Sequence, residues 1–481
     1  MKQVFKFILV ILLLLTGSMR LIAQPNTFYF LKGVPQTKDL NPARPGLKKG
    51  FYLSLPLLSK LDVSMNTNNW SYNDLIHRGS GAMADSLVWD FKKYLTSLGK
   101  NNFLMESAAL TLLEFGWKKE SGFFAFSWSE HEFAEPFFTK NLANLFYYGN
   151  APYLGSTYQS GYFGIGAQHY REFAFTYAKE INKKISVGLT GKLLFGMSGI
   201  KTSGLSVVAG MPKSGDQIDL GASGRAFISA PVDIQLVNNS GYQLLVKDNF
   251  NTNSYFTNFG NPGLAVDLGI SSKLTKKFEF SMSLVDLGFI SWSKNISTFT
   301  ENGHFLYRGI NLDMPTNNPP TTTDVKGLIL ALNDSLRAAF FPSKSTSGFT
   351  TLLPVKLYLA GEYSLTGDVT LGGLARIRMF NNMVHTSVTA SANAAISPRL
   401  SLSASYSIME STLDNIGIAA AYRIGNIQLY AASDNVPSFF LPTTARNANL
   451  RVGINLIFHD ELKQKKDVHN KRHRSAPGCP F

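Results

Sequence analysis

The sequence predicts an all-β protein: a closed antiparallel transmembrane β-barrel of fourteen strands, bounded between twelve and sixteen. Three observations predict it. Apolar residues alternate with a period of two over much of the chain. The opposite face of those runs carries Ser, Thr, Gly and Asn rather than charge. The connections between runs alternate between short turns and long loops, the pattern of a barrel with one turn rim and one loop rim.

The alternation is cleanest over residues 400–408, where Leu400, Leu402, Ala404, Tyr406 and Ile408 are separated by Ser401, Ser403, Ser405 and Ser407. In the same way Val384, Val388 and Ala390 oppose His385, Ser387 and Ser391, and Leu450, Val452 and Ile454 oppose Arg451, Gly453 and Asn455. A soluble sandwich would put charge on the second face. A neutral polar second face suits a wall with lipid outside and a polar lumen inside. Such a wall must close, because an open edge in hydrocarbon leaves backbone groups unpaired.

Strands are expected near 50–68, 107–118, 121–130, 165–180, 185–199, 262–273, 278–293, 353–365, 369–381, 383–397, 400–410, 415–424, 427–433 and 446–458. The even gaps are short and polar, such as Thr366-Gly367 and Gly425-Asn426. Five odd gaps are long: 69–106, 131–164, 200–261, 294–352 and 434–445. An even strand count puts both termini on the short-turn side, the periplasmic one. Lys119, Lys183, Lys276 and Gly367 are then expected in periplasmic turns, and Asn144, Gly215 and Pro319 in external loops. A hairpin around Asn238 to Gly241 would raise the count to sixteen if it joined the wall.

Three loops carry apolar stripes at helical spacing: Leu87, Phe91, Tyr94, Leu95 and Leu98; Val325, Leu328, Ile329, Leu332 and Leu336; and Phe137, Phe138, Leu142, Leu145 and Phe146. A surface helix with such a stripe must bury it. It can roof the barrel or shape an apolar pocket. Phe137, Phe138, Phe146, Tyr147 and Tyr148 form the candidate lining for a hydrophobic ligand.

Composition supports this class. The chain has 481 residues, 44% hydrophobic, 12% aromatic and 16% charged, against about 25% charged in ordinary soluble domains. The single cysteine, Cys479, excludes an internal disulfide and a cysteine-based metal site. The net charge is +14, but Lys and Arg are scattered, whereas a nucleic-acid binder gathers them on one stripe. Residues 1–23 read as a secretory signal peptide: Lys2 and Lys6, an apolar run from Phe7 to Leu15, and a cut after Ala23. That run is too short to span a bilayer, which needs about twenty residues. Residues 24–49 hold Pro25, Pro35, Pro42 and Pro45 and read as an N-terminal hatch rather than a wall strand. Residues 50–458 are the barrel, expected in the outer membrane against its lipid, and 459–481 a basic periplasmic tail.

No phosphate loop, zinc-protease helix or other cofactor motif is present, so no cofactor or metal is expected. His385 and Ser387 share a face and resemble the His-x-Ser of outer-membrane phospholipases, but Val388-Thr389 stands where that family has Asn-Gly. The chain is therefore read as a non-enzyme. The inferred lumen face carries Lys192, Lys356, Glu362, Arg376, Arg378, Arg423 and Arg451. Only Glu362 is acidic among them, and the cations either pair with carboxylates of the lumen-filling segment or line a path for anionic solutes. Arg376 and Arg378 would receive an acidic head group or pair with the hatch.

The segment Val34-Pro35-Gln36-Thr37, then Leu40-Asn41-Pro42-Ala43-Arg44-Pro45, precedes the strand Phe51-Tyr52-Leu53-Ser54-Leu55-Pro56. It resembles an uncharacterised family of Bacteroidota outer-membrane proteins with a Pro-Gln…Asn-Pro-Ala start. That family is similar to FadL-like barrels, which pass hydrophobic molecules, and to the attachment-complex barrel of type IX secretion. The resemblance implies a fourteen-stranded barrel with a hatch and no particular ligand. Pro42 pushes Asn41 towards extended backbone, and Asn before Pro favours a turn that would orient the hatch motif Asn41, Pro42, Ala43. Two functions follow: passive uptake of hydrophobic or amphipathic small molecules, or a non-transporting scaffold for a periplasmic or surface protein partner.

Overall fold

The computed structural model describes residues 26–458, apart from 48, 56–58, 121, 215–216, 237–241, 247–254, 308–329, 331, 333, 337, 382 and 410–411. The signal peptide, the basic tail, Gly215, Pro319 and the turn at Asn238 to Gly241 lie outside the described residues, as do Val325, Leu328 and Ile329.

Fourteen antiparallel strands close into one ring. They are β1 (two pieces, Gly50–Ser54 and Lys60–Thr67), β2 (Asn101–Lys119), β3 (Gly122–Thr139), β4 (Gly164–Glu180), β5 (Ile185–Met211), β6 (Pro262–Lys273) and β7 (Phe278–Trp292). The ring continues through β8 (Phe349–Leu352 and Val355–Ser364), β9 (Val369–Phe380), β10 (Met383–Ser397), β11 (Leu400–Met409), β12 (Thr412–Ile424), β13 (Ile427–Ser433) and β14 (Asn447–Phe458). Each strand pairs with its neighbours in sequence, and β14 closes on β1 with Phe51 opposite Phe458 and Leu61 opposite Val452. The hairpin Val232–Leu236 with Tyr242–Val246 forms a ribbon of its own, so the wall keeps fourteen strands.

Polarity is inverted relative to a soluble protein. Along β11, Leu402, Tyr406 and Ile408 face outward and are exposed, while Ser403, Ser405 and Ser407 face inward and are buried. Exposed Val384 and Val388 alternate with buried His385, Ser387 and Thr389 on β10. At the short-turn rim Phe458, Phe51, Trp117, Phe124 and Tyr177 stand side by side on β14, β1, β2, β3 and β4. Trp117 lies 5.3 Å from Phe124, and Phe124 4.7 Å from Tyr177.

On the long-loop side several strands run further than the sequence predicts. β2 begins at Asn101, β3 runs to Thr139 and β5 to Met211. A strand needs only about ten residues to cross a bilayer. Past that band the outward face turns polar, with Glu130 and Glu132 on β3, and the apolar alternation that marked the strand stops. The outer half of β5 continues into a sheet with Ile218–Ser229, which pairs Ile296–Tyr307. Phe137 and Phe138 are therefore wall residues, not part of a loop helix. The helix there is α2, Lys140–Tyr148; the helix before it is α1, Phe91–Ser97. Thr139 caps α2 by accepting from Leu142 N at 3.2 Å. Asp90 caps α1 by accepting from Lys93 N at 2.8 Å. Leu87 lies outside α1, on a short strand, Leu87–Trp89, paired with Ile76–Arg78.

Candidate functional site

The inward polar face is filled by the N-terminal segment. Phe28, Tyr29 and Phe30 are at most 3% exposed, as deep as any core residue. Short 3₁₀ turns at Thr27–Phe30 and Pro35–Asp39 let the segment coil rather than join the sheet. Its bonds reach round the ring. Asn26 donates from its backbone to Asp434 at 2.6 Å and from its side chain to Ser387 at 3.0 Å. Tyr29 meets Ser281 at 3.0 Å, Gln36 donates to Asn455 at 2.8 Å, and Ser283 donates to the Leu40 carbonyl at 2.5 Å. Buried Ser, Asn and Gln on the wall thus satisfy a buried chain that has no ladder of its own.

Asn41, Pro42 and Ala43 form a fixed corner of this segment. The Asn41 carboxamide accepts from Ala43 N at 3.0 Å, and Arg44 N donates to the Asn41 carbonyl at 2.9 Å. The corner presses on two wall glycines. A Cβ on Gly188 would lie 2.2 Å from the Pro42 carbonyl carbon, and one on Gly269 2.2 Å from Asn41 Oδ1.

Above the segment, towards the long loops, lies a cavity lined by paired charges. Lys192 Nζ is 2.5 Å from Asp286, 2.9 Å from Asp267 and 3.6 Å from Glu172. Lys356 holds the other Asp286 oxygen at 2.6 Å. Lys38 of the N-terminal segment contacts Asp39 at 2.7 Å and Glu114 at 3.1 Å, and Lys60 reaches Asp39 at 2.5 Å. Burial pulls the Lys38 ammonium down, but Asp39 and Glu114 outweigh it and hold it above the ordinary lysine range. Burial likewise pushes the Asp39 carboxyl up, and Lys38, Lys60 and Arg451 overcome it and hold it below the usual carboxylate range.

The sequence-predicted lumen residues Lys192, Glu362, Arg376, Arg378, Arg423 and Arg451 are buried and face inward; Lys356 faces the same way, half-buried. The expectation that acids come from the N-terminal segment is corrected. Most partners are wall carboxylates, namely Glu135, Glu172, Asp267, Asp286 and Asp62, and wall acids in turn take cations from the segment, Glu114 taking Lys38 and Glu362 taking Lys32 and Arg44. Local irregularity hid two of these acids, Glu114 and Asp286. The β6–β7 register shifts between Val266 and Leu268, and Asp286 sits at φ +62° with its N–H on Asp267. A bulge re-aims side chains across the wall.

Nearer the loops the lumen is pinched. Glu135 on β3 is fully buried and bonds Arg378 of β9 at 3.4 Å and His385 of β10 at 3.1 Å. The Arg378 guanidinium stands 4.3 Å over the Phe133 ring, and Phe133 meets Phe380 edge-on at 4.6 Å. Phe103 and Met105 complete the layer, with Phe137 and Met383 packed on it. Strands β3 and β9 are six apart and β3 and β10 seven on a ring of fourteen, so these contacts cross the lumen. Arg376, one inward position from Arg378, donates instead to Asn26 at 3.2 Å.

The five aromatics expected to line one pocket are not brought together. Phe137 joins the constriction. Phe138 packs with Tyr94, Leu95, Leu98 and Ala143 of the loop cluster, as the opposite face of a strand requires. Tyr147 stacks on Phe91 at 5.5 Å and meets Tyr148 at 4.8 Å, while Phe146 is 80% exposed. His385 and Ser387 bond Glu135 and Asn26 respectively. Of the constriction residues only Phe380 lies on a strand expected from sequence; Phe103 and Phe133 fall in the gaps 69–106 and 131–164 that the longer β2 and β3 take up.

The chain matches a family of unknown function, DUF5723, over residues 45–434, and belongs to that family. The corner Asn41-Pro42-Ala43 lies just before the matched span. A search of curated proteins gives no match. Among solved structures the chain is similar to a deletion mutant of TodX described as a monoaromatic hydrocarbon channel, at 10% identity and TM-score 0.39, over 89% of this chain and 93% of that one. It is also similar to the Pseudomonas putida toluene transporter TodX, at 10% identity and TM-score 0.35, over 89% and 93%. A Pseudomonas aeruginosa FadL homologue is similar at 10% identity and TM-score 0.37, over 91% and 99%.

Proposed function

We propose that this barrel lies in the outer membrane, its short turns towards the periplasm, and passes small hydrophobic or amphipathic molecules past two closures. The N-terminal segment acts as the periplasmic hatch, and the Phe133–Phe380 layer is the outer one. Exposed Leu, Ile and Val on the outer wall and the aromatic row at the short-turn rim support the membrane setting. The observation that carries the solute class is the stacking of an apolar layer, Phe103, Met105, Phe133 and Phe380, directly on buried Arg378, Glu135 and His385. A diffusion porin for polar solutes needs no such layer. Small-molecule sites are mostly apolar with few polar anchors.

The test is the full chain in nanodiscs titrated with labelled fatty acids and aromatic hydrocarbons. Saturable binding weakened by Phe133→Asp and Phe380→Asp is the expected result. If no apolar probe binds, the solute reading fails. A second reading, a scaffold for a surface or secreted partner, is favoured by one observation: Trp89, Phe146 and Phe440 on the loops are 66%, 80% and 79% exposed. Stoichiometric co-purification with a partner, lost on their replacement by Ser, would favour it.

A further inference from the structure

The short-turn mouth holds a second cavity, of about 330 Å³, between the N-terminal segment, the turn that follows β4 and the turn-side ends of β2, β3, β6 and β7. Its charge is one-sided, unlike that of the lumen. Lys32 and Arg44 approach it from the segment, and Lys179, Lys183, Lys184 and Lys273 from the wall and turns. Both carboxylates in its lining are already engaged. Glu180 is held by Lys118 at 2.7 Å, and Glu279 accepts from Ser271 with Arg44 at 3.8 Å. Among the described residues, Lys179, Lys183, Lys184 and Lys273 have no carboxylate within ion-pair distance. Like charges around a half-enclosed space focus a potential that draws anions.

Two of these cations also anchor the segment. Arg44 Nη2 is 2.7 Å and Lys32 Nζ 3.2 Å from Glu362 on β8. An anion in the cavity would compete with that single carboxylate for both.

We propose that this vestibule binds an anion bearing several phosphate or carboxylate oxygens, and that its binding draws Lys32 and Arg44 off Glu362 and loosens the N-terminal segment. The recognised chemistry is the same whether the phosphate is free in solution or belongs to a lipid headgroup. Neither part depends on which solute crosses the lumen.

The experiment uses the full chain in nanodiscs of zwitterionic lipid, with inorganic pyrophosphate and a soluble short-chain phosphatidic acid as probes. Saturable binding that weakens with salt is expected, falling roughly tenfold or more in a Lys183→Glu/Lys184→Glu variant. Both residues are exposed turn positions, so the barrel should fold. Lys276→Glu, in the next turn and outside the lining, should bind as the unaltered chain does. Binding of pyrophosphate assigns the site to soluble anions; binding of the phosphatidic acid alone assigns it to lipid headgroups. Hydrogen exchange over residues 26–47 should quicken when the site fills. No binding of either probe, or equal binding by the double variant, overturns the site. Binding without faster exchange overturns the loosening. None of these readouts uses an apolar solute, so failure here and failure of the solute reading are separate results.

Discussion

Replacing Glu135 by Gln should unlock the outer constriction. Glu135 is fully buried, and so is the Arg378 guanidinium it faces at 3.4 Å. Removing one charge of a buried pair leaves the other uncompensated, at a cost of about 3–5 kcal/mol. At about 1.4 kcal/mol per factor of ten, that moves a closed–open equilibrium by roughly two to four decades. The Gln keeps a bond to His385, so the low end of the range is expected. The assay is single-channel conductance in planar bilayers, with urea unfolding from vesicles measured in parallel. The unaltered chain should stay mostly closed, and Glu135→Gln should show open events. A Glu135→Gln/Arg378→Met double variant should close again, because Met would pack on Phe133 and Met105, which already flank the guanidinium. If the single variant changes neither conductance nor stability, or the double is as perturbed as the single, the cross-lumen pair is not what closes the constriction.

Ala404→Arg puts a charge on the outer face of β11 and should destabilise insertion by about 2–4 kcal/mol in vesicle folding assays, with Ser403→Ala on the inner face costing far less. Gly188→Ala should push the Pro42 corner off the wall, exposing Lys38 and Arg44 to trypsin while the barrel keeps its heat-modifiable mobility. In a Cys479→Ser background, a cysteine at Asn144 should react with an impermeant reagent on intact cells and one at Lys183 should not; the reverse would invert the proposed orientation. Asp39 is held below the usual carboxylate range, so its contribution to docking is present above about pH 4 and lost as pH falls further. Lys38 is held above the lysine range, so its share is full below about pH 10.4 and is lost progressively as pH rises from there through its folded value. Protection of residues 26–47 from exchange should therefore be flat between those limits and fall outside them.

The strand spans 262–273, 383–397 and 427–433 read from sequence agree with the structure because those strands stay within one polarity regime from end to end. The outer ends of β2, β3 and β5 were not legible, since alternation reports the boundary between two solvents and those ends have left it. Glu114 and Asp286 were hidden by register shifts at Thr111/Leu113 and Val266/Leu268, each of which reverses the face a residue is assigned by parity, and Glu135 lay beyond the end expected for its strand. The constriction was hidden for another reason. Phe380 read as an inward residue and Phe133 fell in the gap 131–164, and only the closed ring places them 4.6 Å apart. Local pattern carries no information about which strands stand opposite.

On the proposed function the two closures must open by different routes. The outer one is held by a few aromatic contacts, worth about 0.5–1.5 kcal/mol each beyond burial, and by an ion pair whose net worth is near zero once desolvation is counted. Side-chain rotation of Phe380 and Arg378 is then enough to admit a solute. The N-terminal segment buries Phe28, Tyr29, Phe30 and Val34, at roughly 1.5–3 kcal/mol for each apolar side chain, and adds side-chain bonds to β1, β7, β8, β10, β11, β13 and β14. Ejecting it whole would cost more than a passing solute returns. Its anchors are uneven, however. The aromatic stretch from Phe28 to Leu31 packs against inward residues of β7, β8, β9, β12 and β13, whereas residues 41–46 hold the wall by polar contacts, chiefly Arg44 on Glu362 and Asn41 on the Met282 carbonyl. Exit is therefore expected along the Arg44 edge, with the aromatic stretch left in place. A disulfide tying residue 44 to 362 should block passage of an apolar probe, and one tying residue 28 to 430 should not. Block by both would mean that the segment moves as one body.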